Sequence, residues 1–176
     1  MSQPSRRPPS DAEFTELVHG SWASLYRTAY LLLGDRAEAE DLVQTALAKT
    51  YASWSRVRDL DAAPGYARTV LLNTASSWFR KKSWRNERPT EVLPEDTYTP
   101  DHSDRPTVVG ALEHLPQRQR AVIVLRFYED LSVRETASAL GCSEGTVKSQ
   151  THDALARLRE LLGESVVPQT LGVRHD

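Results

Sequence analysis

Apolar or small residues recur at three- and four-residue steps from Phe14 through Leu17, Val18, Ser21, Leu25 and Ala29 to Leu32, the period of a helix with one buried face. Gly34 ends that pattern. Asp35 with Glu38 three residues on is a capping-box pattern, and it opens a second helix whose predicted buried stripe is Ala39, Leu42, Val43, Ala46, Leu47, Tyr51 and Trp54. The opposite face of that helix carries Asp41, Gln44, Thr45 and Ala48. A third helix is predicted from about Pro64, a residue suited to a first helical turn, through Tyr66, Val70, Leu71, Thr74 and Trp78 into a basic run.

Periodicity resumes at Val108 with Leu112 and Leu115, and Pro116 then permits a fresh helix carrying Ala121, Val122, Val124, Leu125 and Phe127. Ser132 and Glu135 form the next capping-box pattern. The short helix they open is expected to bury Val133, Ala137 and Leu140 and to stop at Gly141, which takes a left-handed terminus without strain. Ser143 caps a last helix with Val147, Thr151, Ala154, Leu158 and Leu161 or Leu162 on its stripe, running to about Gly163. Two helices joined by Gly141-Cys142-Ser143 form a helix-turn-helix pattern, whose second member enters the DNA major groove when the motif binds duplex.

Charge placement divides the same chain. Its 176 residues hold 22 Lys plus Arg against 24 Asp plus Glu, a net charge of −2, so any affinity for nucleic acid must come from local concentration. Residues 65–88 hold 6 bases and 1 acid, and residues 89–106 hold 5 acids and 1 base with Pro89, Pro94, Pro100 and Pro106 among them. Proline and charge at that density disfavour helix, central strand and core alike. The expected organisation is therefore an N-terminal tail at 1–10, a helical domain at 11–88, an acidic linker at 89–106, a helix-turn-helix domain at 107–165 and a C-terminal tail at 166–176. The fold class is all-α, with two small helical domains.

Several functions are disfavoured. The chain contains no apolar run near the roughly 18 residues of a membrane helix, and Met1–Ser10 lacks the apolar centre of a secretory signal, so a soluble cytoplasmic protein is expected. The single cysteine, Cys142, has no partner for an internal disulfide. His19, His102, His114, His152 and His175 match no metal-ligand spacing, and neither a metal nor another cofactor is expected. Gly-x-Ser-x-Gly, a Gly-rich phosphate loop and His-Glu-x-x-His are all missing, which argues against an enzyme.

Three surfaces carry candidate chemistry. Lys148, Ser149 and His152 lie opposite the apolar stripe of the last helix and can donate to phosphates or base edges, with Asp153 beside them and Arg126 upstream as a candidate phosphate clamp. Solvated outer-face residues are the plainer explanation for any isolated helix, but the turn preceding this one favours DNA. The run Trp78-Phe79-Arg80-Lys81-Lys82-Ser83-Trp84-Arg85 interleaves cations with aromatic faces on which bases can stack, and Asn73 lies upstream with an amide suited to a base edge. Trp78 reads equally well as core. Asp41, Gln44 and Thr45 are either ordinary surface or a docking face for a polar protein groove.

Taken together, these segments resemble the group IV, or extracytoplasmic-function (ECF), RNA polymerase sigma factors. The resemblance rests on Ala37–Gln44, on Leu115–Arg120 continuing to Leu125-Arg126, and on Gly145–Ser149, while Ser77–Lys82 is similar to the actinobacterial sigma-E-like subfamily. It implies that Asp41, Gln44 and Thr45 face the beta-prime clamp helices of core RNA polymerase and that the second domain meets the beta flap. It implies further that Tyr66, Asn73, Trp78, Arg80, Lys81, Lys82 and Arg85 engage the −10 element, Asn73 holding an unstacked non-template base. Arg126, Lys148, Ser149 and His152 then meet the −35 duplex, and an anti-sigma factor is the implied regulator. Asp153 and Gln150 stand where basic residues are common in the family, and Ser55–Gly65 is charged rather than aromatic, so neither the −35 sequence nor the base-capturing loop residues carry over. The alternative reading is a stand-alone dimeric helix-turn-helix regulator with palindromic sites.

Overall fold

The computed structural model describes residues 8–85 and 107–163, the side chains of 82–85 excepted. The expected linker at 89–106, the C-terminal tail and most of the N-terminal tail lie outside the described residues. Seven α-helices account for most of the remainder, and no strand occurs among the described residues. The helices gather into two compact units, the first spanning 8–30 and 35–75, the second 31–34, 76–85 and 107–163.

The first unit is built on α1 (Asp11–Leu33), α2 (Arg36–Ala52) and the N-terminal half of α3 (Ala63–Arg85). Ser10 caps α1 reciprocally: its Oγ accepts from the Glu13 N–H at 3.3 Å, and Glu13 Oε2 accepts from the Ser10 N–H at 2.7 Å. Leu17, Ser21, Leu25 and Ala29 are buried along α1, as their spacing predicts. Gly34 stops the helix with φ of 70°, a conformation that glycine adopts without a Cβ clash.

Asp35 caps α2 by accepting from the Glu38 N–H at 2.9 Å, and Ala39, Leu42, Val43, Ala46 and Leu47 are its buried stripe. Tyr51 departs from the expected stripe. It is 48% exposed, because its ring leans on Phe14 at 4.8 Å and its hydroxyl reaches out to donate to Asp11 Oδ1 at 2.9 Å. Trp54 is buried as expected, but in a separate 3-10 turn at Trp54–Arg56, where it joins Leu17 and Ala63 with Phe14 and Val57 packed against them. Along α3, Ala67, Leu71, Thr74 and Ala75 face inward.

In the second unit, α7 (Glu144–Leu162) packs against α4 (Val108–Glu113), α5 (Gln117–Ile123) and α6 (Val133–Leu140). Val122, Val133, Ala137 and Val147 form one apolar cluster, with Leu140 and Cys142 partly buried against it. Each cap read from the sequence is present: the reciprocal Ser132–Glu135 box, Gly141 at φ of 64°, and the Ser143 side chain accepting from the Thr146 N–H. On α7 the stripe closes on Leu162 rather than Leu161, and Leu155 joins the core.

The sequence pattern did not reveal the end of α5. Val124–Tyr128 is a π-helical turn in which the Glu129 N–H donates to the Val124 carbonyl oxygen at 2.9 Å, followed by Asp130 at φ of 57°. A π turn inserts one residue per turn without reversing the buried face, so the apolar spacing hardly registers it.

Candidate nucleic-acid interface

On α7 the core positions Val147, Ala154, Leu155 and Leu158 are buried, which turns the other side outward. Lys148, Ser149 and His152 all fall on that exposed side, as the 3.6-residue period requires, and Asp153 is exposed beside them. Ser143 and Thr146 hydroxyls pair at 2.9 Å at the start of the helix, and Ser149 Oγ donates back to the Thr146 carbonyl at 3.1 Å, leaving its oxygen lone pairs as acceptors. A cation, a hydroxyl and an imidazole are thus displayed within two turns of a capped helix, the composition expected of a groove-reading face.

Arg126 does not share that face. It is 9% exposed, and its Nη1 donates to the Leu131 carbonyl oxygen at 3.2 Å, with the guanidinium carbon 6.0 Å from the Phe127 ring centroid. The expectation of an outward phosphate clamp is corrected by this arrangement. Arg126 holds the turn between the π segment and α6.

Helix α3 runs through both units. Within the first, Tyr66 (40% exposed) and Asn73 (exposed) lie seven residues apart, two helical turns, and so on the same side. Next to Asn73, Thr74 Oγ1 accepts from Lys49 Nζ at 3.2 Å. Lys49 was not singled out from the sequence. Its partner lies 25 residues away, so the contact between α2 and α3 is what brings the ammonium to Thr74. In the second unit, Trp78 is half-buried, whereas Arg80 and Lys81 are exposed, Arg80 also lying 3.4 Å from the Ser138 carbonyl oxygen. The side chains of Lys82, Trp84 and Arg85 lie outside the described residues.

The loop before α3 borders two open clefts. One, of about 420 Å³, is lined by Ser53, Arg56, Val57, Ala62, Ala63 and Tyr66 among others, and the second, of about 390 Å³, by Pro9, Glu13, Leu60 and Asp61. Val57, Arg58 and Asp59 line both, so this stretch is the wall between them. The loop residues have no periodic pattern; the family resemblance marked the stretch Ser55–Gly65, but not which of its side chains border the clefts. On α2, Asp41 and Gln44 are exposed and Thr45 is half-buried, so Asp41 and Gln44 present the polar face expected of them and Thr45 only its rim.

Among the described residues, Tyr51 and Cys142 have displaced ionisation. The hydrogen bond from Tyr51 to the Asp11 carboxylate, with that carboxylate's charge, keeps the phenol protonated above its ordinary range. Burial raises the Cys142 thiol against an opposing pull from Arg118. Among the described residues no His, Cys, Asp and Glu cluster is placed to hold a metal ion, and no helix is long and apolar enough to cross a membrane.

Comparison with known proteins gives the chain's family. The sigma-70 region 2 profile matches residues 21–85 and the sigma-70 region 4 profile matches residues 111–160. The chain is 47% identical over 153 residues to the RNA polymerase sigma-E factor of Streptomyces coelicolor, covering 85% of this chain and 86% of the relative. It is 35% identical over 150 residues to the ECF RNA polymerase sigma factor SigL of Mycobacterium tuberculosis, covering 81% and 84%. Among solved structures, the sigma factor RpoE of Bartonella quintana in complex with the anti-sigma factor NepR is 28% identical, with a TM-score of 0.49 over 85% of this chain and 96% of that one.

Proposed function

Because this chain belongs to the ECF RNA polymerase sigma factors, we propose that its exposed faces divide the work of initiation among polymerase docking, −35 reading and −10 capture. As a sigma factor it binds core RNA polymerase, directs it to specific promoters and nucleates DNA opening. Polymerase supplies the catalysis, since sigma factors are initiation factors without enzymatic chemistry, and the complex works in the cytoplasm. The alternative of a stand-alone dimeric regulator is not favoured by the relatives.

Docking falls to Asp41 and Gln44, with Thr45 at the rim, against the beta-prime clamp helices, and the second unit meets the beta flap. Exposed carboxylate and amide groups opposite the buried stripe of Ala39, Leu42, Val43, Ala46, Leu47 and Thr50 support this assignment, because they set orientation and encounter without entering the fold. Reading of the −35 duplex falls to Lys148, Ser149 and His152. Capture of the −10 element falls to α3, with Asn73 addressing a base edge, Tyr66 offering a ring for stacking, and Arg80, Lys81, Lys82 and Arg85 attracting phosphates. An anti-sigma factor is the regulator this reading assigns, on family membership alone.

The observation that carries the reading is the placement of Tyr66 and Asn73 on one exposed side of α3, with Tyr66 lining an open cleft. Pulling a base from its stack costs a few kcal/mol, and stacking it on an aromatic ring returns about 1–3 kcal/mol, so capture by this side offsets opening. A chain of net charge −2 needs little DNA affinity alone if polymerase holds it at the promoter at high effective concentration. The test is co-elution with core polymerase followed by run-off transcription from a genomic fragment library. A stoichiometric, salt-tolerant complex that starts at discrete sites is expected. Duplex binding by a dimer without polymerase would overturn the assignment.

A further inference from the structure

The first turn of α1 is tied to the stretch that precedes the cleft loop. Ser10 is fixed by its capping box, and its carbonyl oxygen accepts twice, from the Phe14 N–H at 3.1 Å and from Trp54 Nε1 at 2.9 Å. The second bond spans 44 residues. Phe14 meets the Trp54 ring edge-on at 5.2 Å, and the Tyr51 hydroxyl donates to Asp11. Trp54 is 3% exposed and opens the 3-10 turn that leads into the loop. Val57, at the end of that turn, packs on the same cluster as Trp54, and so does Ala63, where α3 begins. Residues 58–62 between them are exposed. The wall between the two clefts thus lies in a short exposed span whose two ends are both seated on the Trp54 cluster.

We propose that Trp54 is a positioning residue for promoter recognition. Its Nε1–H, by gripping the Ser10 carbonyl, sets where the 57–59 wall stands and hence the shape of the cleft at Tyr66, which places the N-terminal turn of α1 in the machinery that discriminates −10 bases. The inference rests on the −10 capture reading above. Two acceptor sites on one backbone oxygen are saturated by this arrangement, so an indole that lost its bond would leave a donor in an apolar cluster. Loss of the donor itself unties the ring, and with it the loop ends packed on the same cluster, from the Ser10 carbonyl.

The test uses holoenzyme assembled from the full chain and core polymerase. The probe is a pool of fork DNA with a duplex arm and a randomised single-stranded non-template overhang, and the readout is the enrichment of each overhang base. Trp54→Phe keeps an aromatic ring in the cluster and removes the donor together with part of the indole's volume. It is expected to reduce the strongest base preference by about 2- to 10-fold, the range of one hydrogen bond, while polymerase affinity and binding to the duplex arm stay within twofold. Tyr51→Phe, at an exposed position, should move the preference in the same direction by a smaller factor. Unchanged preference in Trp54→Phe overturns the proposal, and so does equal loss of duplex and overhang binding, which marks a general structural role. If Trp54→Phe fails to assemble with polymerase, unchanged preference in Tyr51→Phe overturns it. Absence of any overhang preference in the unsubstituted protein overturns the −10 capture reading itself.

Discussion

Arg126 Nη1 and the Leu131 carbonyl oxygen lie 3.2 Å apart across the stretch where the chain leaves α5, passes through a π turn and a left-handed Asp130, and enters α6. A buried guanidinium on a backbone carbonyl fixes the approach to the helix-turn-helix. Arg126→Ala is therefore expected to cost about 1.5–3 kcal/mol of stability, the worth of a hydrogen bond from a charged group, in urea unfolding. The salt dependence of −35 duplex binding by the folded fraction should not change. A phosphate contact would instead lower its slope by about 1.

Lys148→Ala should show that lowered slope. Its ammonium is exposed on α7, away from the core, so its removal is expected to weaken duplex binding and leave the unfolding free energy within about 0.5 kcal/mol of the parent. Asp41→Asn should do the reverse, weakening co-elution with core polymerase while duplex affinity is preserved. Equal loss of both activities in both variants would refute the division of labour.

The caps make a separate prediction. Ser143→Ala removes the acceptor for the Thr146 N–H at 3.1 Å and is expected to cost about 1 kcal/mol, read as a lower thermal midpoint. Ser143→Asp restores an acceptor and adds a carboxylate at a helix N-terminus, so it should recover most of that loss.

Burial holds the Cys142 thiol in its protonated form at pH values where a free thiol ionises. Alkylation by iodoacetamide at about pH 8 should accordingly be slower in the native protein than in urea. The sign for stability follows: a group whose folded pKa is raised binds more protons when folded, so its contribution is present below the ordinary thiol range and fades as pH rises through it. A native rate equal to the unfolded one would show that the thiol does not lie against Val122, Val133, Ala137 and Val147.

What could be read in advance was mostly local. Gly34, Asp35, Ser132 with Glu135, Gly141 and Ser143 mark helix ends through hydrogen bonds or backbone angles that involve near neighbours, and every one of them performs that role. Ser10 with Glu13 had the same signature before Phe14, yet Pro8 and Pro9 made the segment read as tail. Tyr51 continued the α2 stripe in phase, but a tyrosine near a helix end can lay its ring on a neighbour and send its hydroxyl outward to an acid 40 residues away. Long side chains were least legible: nothing in the spacing of Arg126 says whether its guanidinium turns toward solvent or toward Leu131. Lys49 and the walls of the clefts depend on packing between helices distant in sequence, so no local pattern could disclose them.

On α7 the residues that hold the fold and those displayed outward are disjoint sets. Val147, Ala154, Leu155 and Leu158 are one set, and Lys148, Ser149, His152 and Asp153 the other. On the −35 role proposed for Lys148, Ser149 and His152, promoter preference would drift by exchange of outer residues while the inner four stay constant, and duplicated copies of such a chain would acquire separate regulons without passing through unstable intermediates. The same separation offers a route to orthogonal transcription, in which a library varied only at these outer positions is screened against altered −35 sequences.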